Sequence, residues 1–460
     1  MAANWQNMQH VWDIWMAQQA GARSILSLAD RRLATLVAYA RTRSGFYRQL
    51  YRDLPDDCYD LVRLPPVGKR QLMRAFDDWV TDSQVNRASV NEFLADTGQV
   101  GHDYLGRYAV YTSSGTTGEP GVYLHDQTAQ SVYESLLSVR FDPAGFLSRT
   151  VLAGLSQRGF AMIAATGGHF AGTATWERWR RLHPTTRVHV FDVSLPVEEL
   201  GEQLNRFQPA FVASYPSTVR LLADEQRAGR LKLQLSAVWL GGEGLLPTVR
   251  SDIEQAFGCR VIEDYGTSEF MNIAFGCRHG WLHVNTDWVI LEPVDENYQP
   301  VPPGEPSRSV LLTNLANRIQ PFIRYELGDS ITVKPSRCRC GSPLPAIQVG
   351  GRSDEILQFT ATDGRSVSIQ PIPLTSRVED HCRVYRFQLI QTAPDRLAVR
   401  LDPPPGRSVE QSRQQVSSQL RHYLASHGLN NVVIEHQDQP PRPDAISGKF
   451  RQVWSQTAAR

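Results

Sequence analysis

The chain has 460 residues, 41% of them hydrophobic and 21% charged, with 48 Lys plus Arg against 47 Asp plus Glu. This is a globular composition, long enough for roughly three structural units, and it excludes disorder, a collagen-like rod or a coiled coil for the bulk of the chain. A formal net charge of +1 speaks against a dedicated nucleic-acid binder, and six cysteines are too few for a disulfide scaffold.

In chain order, residues 1–21 show a helical pattern, with Trp5, Met8, Trp12, Trp15 and Met16 recurring at steps of three and four. That apolar face is expected to pack on the main domain. No Lys or Arg precedes Arg23, and no apolar run approaches the ~20 residues that span a bilayer. A soluble, reducing, cytoplasmic setting follows, with no membrane or nucleic-acid partner.

A strand over 107–112 then runs into Ser113, Ser114, Gly115, Thr116, Thr117 and Gly118, with a helix expected over 126–140. Small residues and glycines let backbone N–H groups converge on phosphate oxygens, and the hydroxyls add donors. The string lacks the Gly-Lys-Ser/Thr of P-loop NTPases. Further on, strands expected over 210–214, 236–240 and 260–263 alternate with helices over 218–228 and 248–257. This rhythm points to an α/β sheet, mainly parallel. Polar loops follow each of the three strands, and ligands of such sheets bind beyond the carboxyl ends. After Gly350 the pattern becomes α+β: strands over 356–359, 386–390, 397–401 and 432–436, and a helix over 411–427. Two domains are expected, 1–350 and 351–460.

Six strings in fixed order carry a resemblance to a known family: Ser-Ser-Gly-Thr-Thr-Gly at 113–118, Gly241-Gly-Glu243, Asp264-Tyr-Gly-Thr-Ser-Glu269, Arg324-Tyr-Glu-Leu-Gly-Asp329, Gly351-Arg-Ser-Asp354 and Ser447-Gly-Lys449. Together they resemble the adenylate-forming superfamily of acyl-CoA synthetases, peptide-synthetase adenylation domains and luciferases. Ser-Tyr-Pro-Ser at 214–217, Pro321-Phe-Ile-Arg-Tyr325 and the segment Pro65 to Lys69 resemble the phenylacetate-CoA ligase branch. The resemblance implies a large α/β adenylation core with a small β-barrel-like subdomain, followed by a small mobile α+β lid hinged at Asp354. It implies an ATP- and Mg²⁺-dependent ligase that converts an aryl, arylacetic or hydroxybenzoic acid to acyl-AMP and passes it to a thiol. The acceptor is CoA by family default, with an acyl-carrier protein as the alternative. A non-catalytic nucleotide-binding protein stands as a second alternative, and a homodimer is allowed for.

Residue roles follow from the same resemblance. The phosphate loop 113–118 and Gly242, Glu243, Asp264, Tyr265, Gly266, Thr267 and Ser268 are expected around the nucleotide. Asp329 is suited to both ribose hydroxyls, and Arg352 to ribose or phosphate. Glu269 is expected to hold Mg²⁺, a hard cation that prefers carboxylate oxygens. Lys449 is expected to bridge the substrate carboxylate and the α-phosphate, where an ammonium stabilises developing negative charge. The acid pocket is expected near Gly241, Tyr215, Phe160, His169, Phe170 and Ser214. The two phenylalanines would flank a ring and His169 or Ser214 would meet a ring hydroxyl, with ordinary packing the open alternative for each. The chain departs from many superfamily members in ending its phosphate loop Glu119-Pro-Gly121, without the usual lysine.

A second constellation is Cys277, Cys338 and Cys340 with His283, His279 being the alternative fourth member. Three thiolates and an imidazole form a tetrahedral set suited to structural Zn²⁺, which some relatives in this branch carry.

Overall fold

The computed structural model describes residues 2–113, 121–141, 158–352, 357–369, 371–404, 406–443 and 450–457. The chain divides into two units, Met1–Leu327 with Thr332–Gln348, and Gly328–Ile331 with Val349–Arg460. No helix among the described residues is long and apolar enough to cross a membrane.

The first unit opens with helices α1 (Ala2–Ala20) and α2 (Ala22–Arg43). Of the expected docking face of α1, Met8, Trp12, Trp15 and Met16 are exposed and the side chain of Trp5 lies outside the described residues, while Ile14 and Ala17 are buried. Ala17 packs with Ile25 and Leu344, and polar contacts tie the helix to α3 (Gln127–Arg140). Asn7 Nδ2 donates to Glu134 at 2.9 Å, His10 meets Ser131 at 2.8 Å and Arg140 Nε donates to Gln18 at 3.3 Å. Periodicity identifies which residues share a face, but the hydrogen-bonding partners decide which face is covered.

Strands β1 (Ala109–Thr112) and β2 (Val122–His125) form an antiparallel hairpin in which Thr112 faces Val122. The phosphate-loop string therefore connects two paired strands, and α3 begins only after the second. The sequence reading, with a helix next after the loop, missed β2. Asp126 caps α3 by accepting from the Ala129 N–H at 2.8 Å.

Then come β3 (Phe160–Ala164), α4 (Ala171–Leu182), β4 (Val188–Asp192), α5 (Val197–Phe207), β5 (Phe211–Ser214), α6 (Pro216–Arg227), β6 (Ala237–Leu240), α7 (Pro247–Phe257) and β7 (Arg260–Tyr265). Strands β4, β3, β5, β6 and β7 lie side by side, all parallel. Such a sheet needs cover on both faces. Ile163, Val212, Val238 and Val261 pack with Leu204, Leu222 and Ile253, while Phe160, Phe211 and Ile262 pack with Trp176, Trp179 and Trp239. Beyond β7 the sheet turns antiparallel through β8 (Ala274–Gly276) and β9 (Leu282–Val284). A separate three-stranded antiparallel sheet, β10 (Val289–Val294), β11 (Ser309–Asn314) and β12 (Tyr325–Glu326), stands where a barrel-like subdomain was expected.

Strand β13 spans Asp329–Val333, and β14 (Ala346–Arg352) contains the boundary between the units. The second unit holds the hairpin β15 (Leu357–Thr360) and β16 (Ser366–Ile369), then β17 (Phe387–Ala393), β18 (Arg396–Leu401), helix α8 (Val409–Ser426), β19 (Val433–His436) and β20 (Val453–Ser455). Ser408 and Gln411 form a capping box at the start of α8. Val416, Leu420 and Leu424 of that helix pack on Phe387, Leu389 and Val399.

Candidate active site

The carboxyl ends of β3, β5, β6 and β7 all lie on one edge of the parallel sheet, and the residues singled out from sequence at 169–170, 214–215, 241–243 and 264–269 lie at or after those ends. Ser114, Gly115, Thr116, Thr117, Gly118, Asp354 and Lys449 lie outside the described residues, as does the side chain of Arg352.

The base of the phosphate loop is pinned at both ends. The Ser113 N–H donates to the Gly121 carbonyl at 3.1 Å, and the Gly121 N–H donates to Ser113 Oγ at 3.0 Å. Lys69 Nζ donates to the same Ser113 Oγ at 3.2 Å. Thr112 donates its N–H to the His169 carbonyl at 2.7 Å, tying the 165–170 loop to the strand that enters the phosphate loop.

Glu269 lies in the turn after β7. Gly266 is required there, because a Cβ would fall 1.9 Å from the Met271 carbonyl oxygen. Thr267 Oγ1 accepts from the N–H groups of Glu269 and Phe270, each at 3.3 Å, which closes the turn. The buried Glu269 carboxylate lies beside Tyr123 and Tyr325, whose hydroxyls meet each other at 3.2 Å. Burial and the neighbouring carboxylate push both phenols well above their ordinary pKa, so they remain protonated. Tyr123 in turn neighbours Ser113 at the loop base.

A second layer holds the backbone of the same turn. Burial lowers the pKa of His125 to about 4, leaving the imidazole neutral. Its Nε2 donates to the Ser268 carbonyl at 2.8 Å, and its Nδ1 accepts from the Tyr133 hydroxyl at 3.1 Å. Asn314 Nδ2 in turn donates to the Tyr133 hydroxyl at 3.0 Å and to the Glu269 carbonyl at 2.8 Å. Each donor in this chain has an acceptor, as a buried polar network requires.

In the loop after β6, Gly241 is needed because a Cβ would sit 2.4 Å from Asp264 Oδ1. Asp264 also accepts from the Trp239 indole at 2.7 Å, and burial pushes its pKa up to about 7. Gly242 takes a positive φ of 78° before Glu243. Glu243 spends its carboxylate on the start of α6, accepting from Ser217 N–H and Oγ at 3.1 Å each. Tyr265 is buried at the end of β7. Asp329, also buried, belongs to the second unit.

The expected acid-side residues divide. Phe160 is core: it stacks on Trp176 at 4.1 Å and on Phe211 at 4.6 Å, within the sheet's packed face. Ser214 spends its hydroxyl on the Ile163 carbonyl at 2.8 Å. The Tyr215 hydroxyl bonds to the Ala165 backbone, and burial raises its pKa. Phe170 is half-buried at the start of α4. His169 is buried, with Nε2 lacking a hydrogen-bond partner among the described residues. Desolvation lowers its pKa, so the ring is neutral at pH 7.

Elsewhere in the first unit, the donor atoms of Cys277, His283, Cys338 and Cys340 all lie within 4.8 Å of one another. The thiols of Cys277 and Cys338 are 3.7 Å apart, close to the S···S edge of about 3.8 Å that Zn–S bonds of about 2.3 Å give in a tetrahedron. Cys340 lies 3.1 Å from His283 Nε2. His283 Nδ1 donates to the Leu344 carbonyl at 3.0 Å, which turns the Nε2 lone pair toward the thiols. His279 is exposed and outside the cluster. Four protein donors leave no open position for a substrate.

Sequence reasoning missed the side chains that support Glu269. Tyr325 lies within the 324–329 motif and Lys69 ends the 65–69 segment, but Tyr123, His125, Tyr133 and Asn314 carry no local signal. They converge only through the pairing of β1 with β2 and of β10 with β11.

No protein-family model matches the chain. Phenylacetate-coenzyme A ligase of Thermus thermophilus is 26% identical over 365 residues, covering 75% of this chain and 73% of that one. A crystal structure of 2-hydroxyisobutyryl-CoA ligase in the postadenylation state superposes with a TM-score of 0.67 at 19% identity, over 95% of this chain and 90% of that one. An anthranilate CoA ligase bound to anthranoyl-AMP gives a TM-score of 0.50 at 18% identity, over 74% and 64%. The homologues and structural neighbours of this chain are thus adenylate-forming acyl-CoA ligases, and it has their fold.

Proposed function

We propose that the chain is an ATP-dependent acid–thiol ligase that activates an aromatic carboxylic acid. The observation that carries this reading is the buried Glu269 carboxylate, which lies beside the paired hydroxyls of Tyr123 and Tyr325, with Tyr123 next to Ser113 at the base of the phosphate loop. A fixed carboxylate beside a phosphate-binding loop is suited to Mg²⁺, which would draw charge from the phosphate oxygens of ATP. A substrate carboxylate oxygen attacks the α-phosphorus, the bond to pyrophosphate breaks, and acyl-AMP forms. A thiol then displaces AMP and takes the acyl group. In this reading Lys449 stabilises the first transition state, and the 351–460 domain turns at Asp354 to admit the thiol.

An aromatic acid is supported by Phe170 and by His169, whose buried Nε2 is suited to a polar ring substituent. The T. thermophilus relative is by name a phenylacetate-coenzyme A ligase, which favours an arylacetate and CoA. Mass spectrometry after incubation with ATP, Mg²⁺ and a panel of benzoates, hydroxybenzoates and arylacetates, with CoA or a phosphopantetheinylated carrier protein, tests acid and acceptor together. An aryl-CoA product is expected. A thioester found only on the carrier protein would overturn the acceptor, and thioesters of aliphatic acids alone would overturn the aromatic assignment.

The same reading gives the Cys277, His283, Cys338 and Cys340 cluster a structural Zn²⁺ that joins the β8–β9 turn to the 338–340 knuckle. One zinc per chain by elemental analysis is expected in protein purified without chelator.

A further inference from the structure

The string from Ser113 to Gly121 contains no Lys or Arg and does contain Glu119. A loop that receives a nucleotide triphosphate with no cation of its own leaves much of the phosphate charge to backbone donors. The chain supplies a cation from elsewhere. Val67 pairs with Tyr325 in a parallel bridge, its N–H donating to the Arg324 carbonyl at 3.0 Å and its carbonyl accepting from the Glu326 N–H at 2.9 Å. Arg324 Nη1 secures the same segment by donating to the Leu64 carbonyl at 2.6 Å. Two residues beyond Val67, Lys69 reaches Ser113 Oγ at 3.2 Å. The backbone that brackets Tyr325, a neighbour of Glu269, thus also carries an ammonium to the base of the phosphate loop. Lys69 is one of only four lysines among 48 basic residues. A compact ammonium suits a phosphate oxygen as a point charge, whereas the planar arginine fork is matched to bidentate contacts.

We propose that Lys69 is the phosphate-contacting cation of this site, binding the β- and γ-phosphates of ATP and the departing pyrophosphate in place of a lysine within the loop. The inference rests on the ATP-dependent reading above. Its test is nucleotide binding, which needs no knowledge of the acid. Calorimetric titration with ATP and, separately, with AMP, in the presence of Mg²⁺, is carried out on the wild-type chain, Lys69→Gln and Lys69→Arg. Loss of one charge-assisted contact is expected to weaken ATP binding about 10-fold or more in Lys69→Gln. AMP affinity should stay within about 2-fold, because AMP lacks the phosphates concerned. Lys69→Arg should recover part of the ATP affinity. ATP affinity unchanged in Lys69→Gln, or ATP and AMP weakened alike, would overturn the inference, the second outcome marking Lys69 as structural. A wild-type chain that binds neither nucleotide would overturn both this inference and the proposed function. Selective loss of ATP affinity together with no acid-dependent pyrophosphate release would leave the inference standing and overturn the proposed function alone.

Discussion

The proposed nucleotide side and the proposed acid side of this site are built differently. On the proposed nucleotide side the candidate residues lie in contiguous strings, 113–118, 241–243 and 264–269. Backbone N–H groups, tight glycine turns and a single carboxylate are local requirements, so they leave local traces. On the proposed acid side the candidates are single side chains brought from several elements, and a single residue carries no label in the sequence. Phe160 and His169 were equal candidates by position; one stacks in the core between Trp176 and Phe211, and the other leaves a buried ring nitrogen without a partner among the described residues.

The sharpest way to break this contrast is at Glu269. Glu269→Gln keeps the shape and removes the charge, and is expected to slow adenylation by about 10²-fold or more while leaving the melting temperature nearly unchanged. A rate within a few-fold of wild type would show that the carboxylate only braces the turn. Next in size is Phe160→Ala, which should cost about 3–5 kcal/mol of stability in denaturant titration. The KM for the acid should stay as it was; a raised KM without lost stability would return Phe160 to the pocket.

Removing the proposed metal should act on folding alone. Cys338→Ser, or dialysis of the wild type against a strong chelator, is expected to abolish zinc content and lower the melting temperature by about 5 °C or more. Steady-state constants measured well below that temperature should change little. His169→Ala is expected to raise KM for the preferred acid several-fold with ATP affinity unchanged, which steady-state kinetics at saturating ATP will read.

The smallest effect concerns Asp264, whose pKa is pushed up to about 7 by burial. The folded state then holds a proton that the unfolded chain releases near its ordinary value of 3.8. Stability therefore falls as pH rises between those values, and the penalty is complete above about 7. Asp264→Asn removes that slope. Its melting temperature relative to wild type should climb by a few degrees from pH 5 to pH 8; a constant difference would show that Asp264 ionises normally.

The parallel sheet, its helices and the order of the motifs were legible because each depends on short-range periodicity. So was the Cys/His set, since thiols and imidazoles are scarce enough to be matched across a gap of some 55 residues. Two things were not. The support of Glu269 by Tyr123, His125, Tyr133 and Asn314 depends on hairpin register, which the unread strand β2 provides. The outward-facing tryptophans of α1 show the other limit: a helical period defines a face, but Asn7, His10 and Gln18 determine which side docks.

The central claim is that this chain makes acyl-AMP. The most direct test is exchange of labelled pyrophosphate into ATP with Mg²⁺ and each acid of the aromatic panel, with no thiol present. Exchange that depends on the acid and disappears in Glu269→Gln is expected. Absence of acid-dependent exchange across the panel, in protein shown to bind ATP, would contradict it.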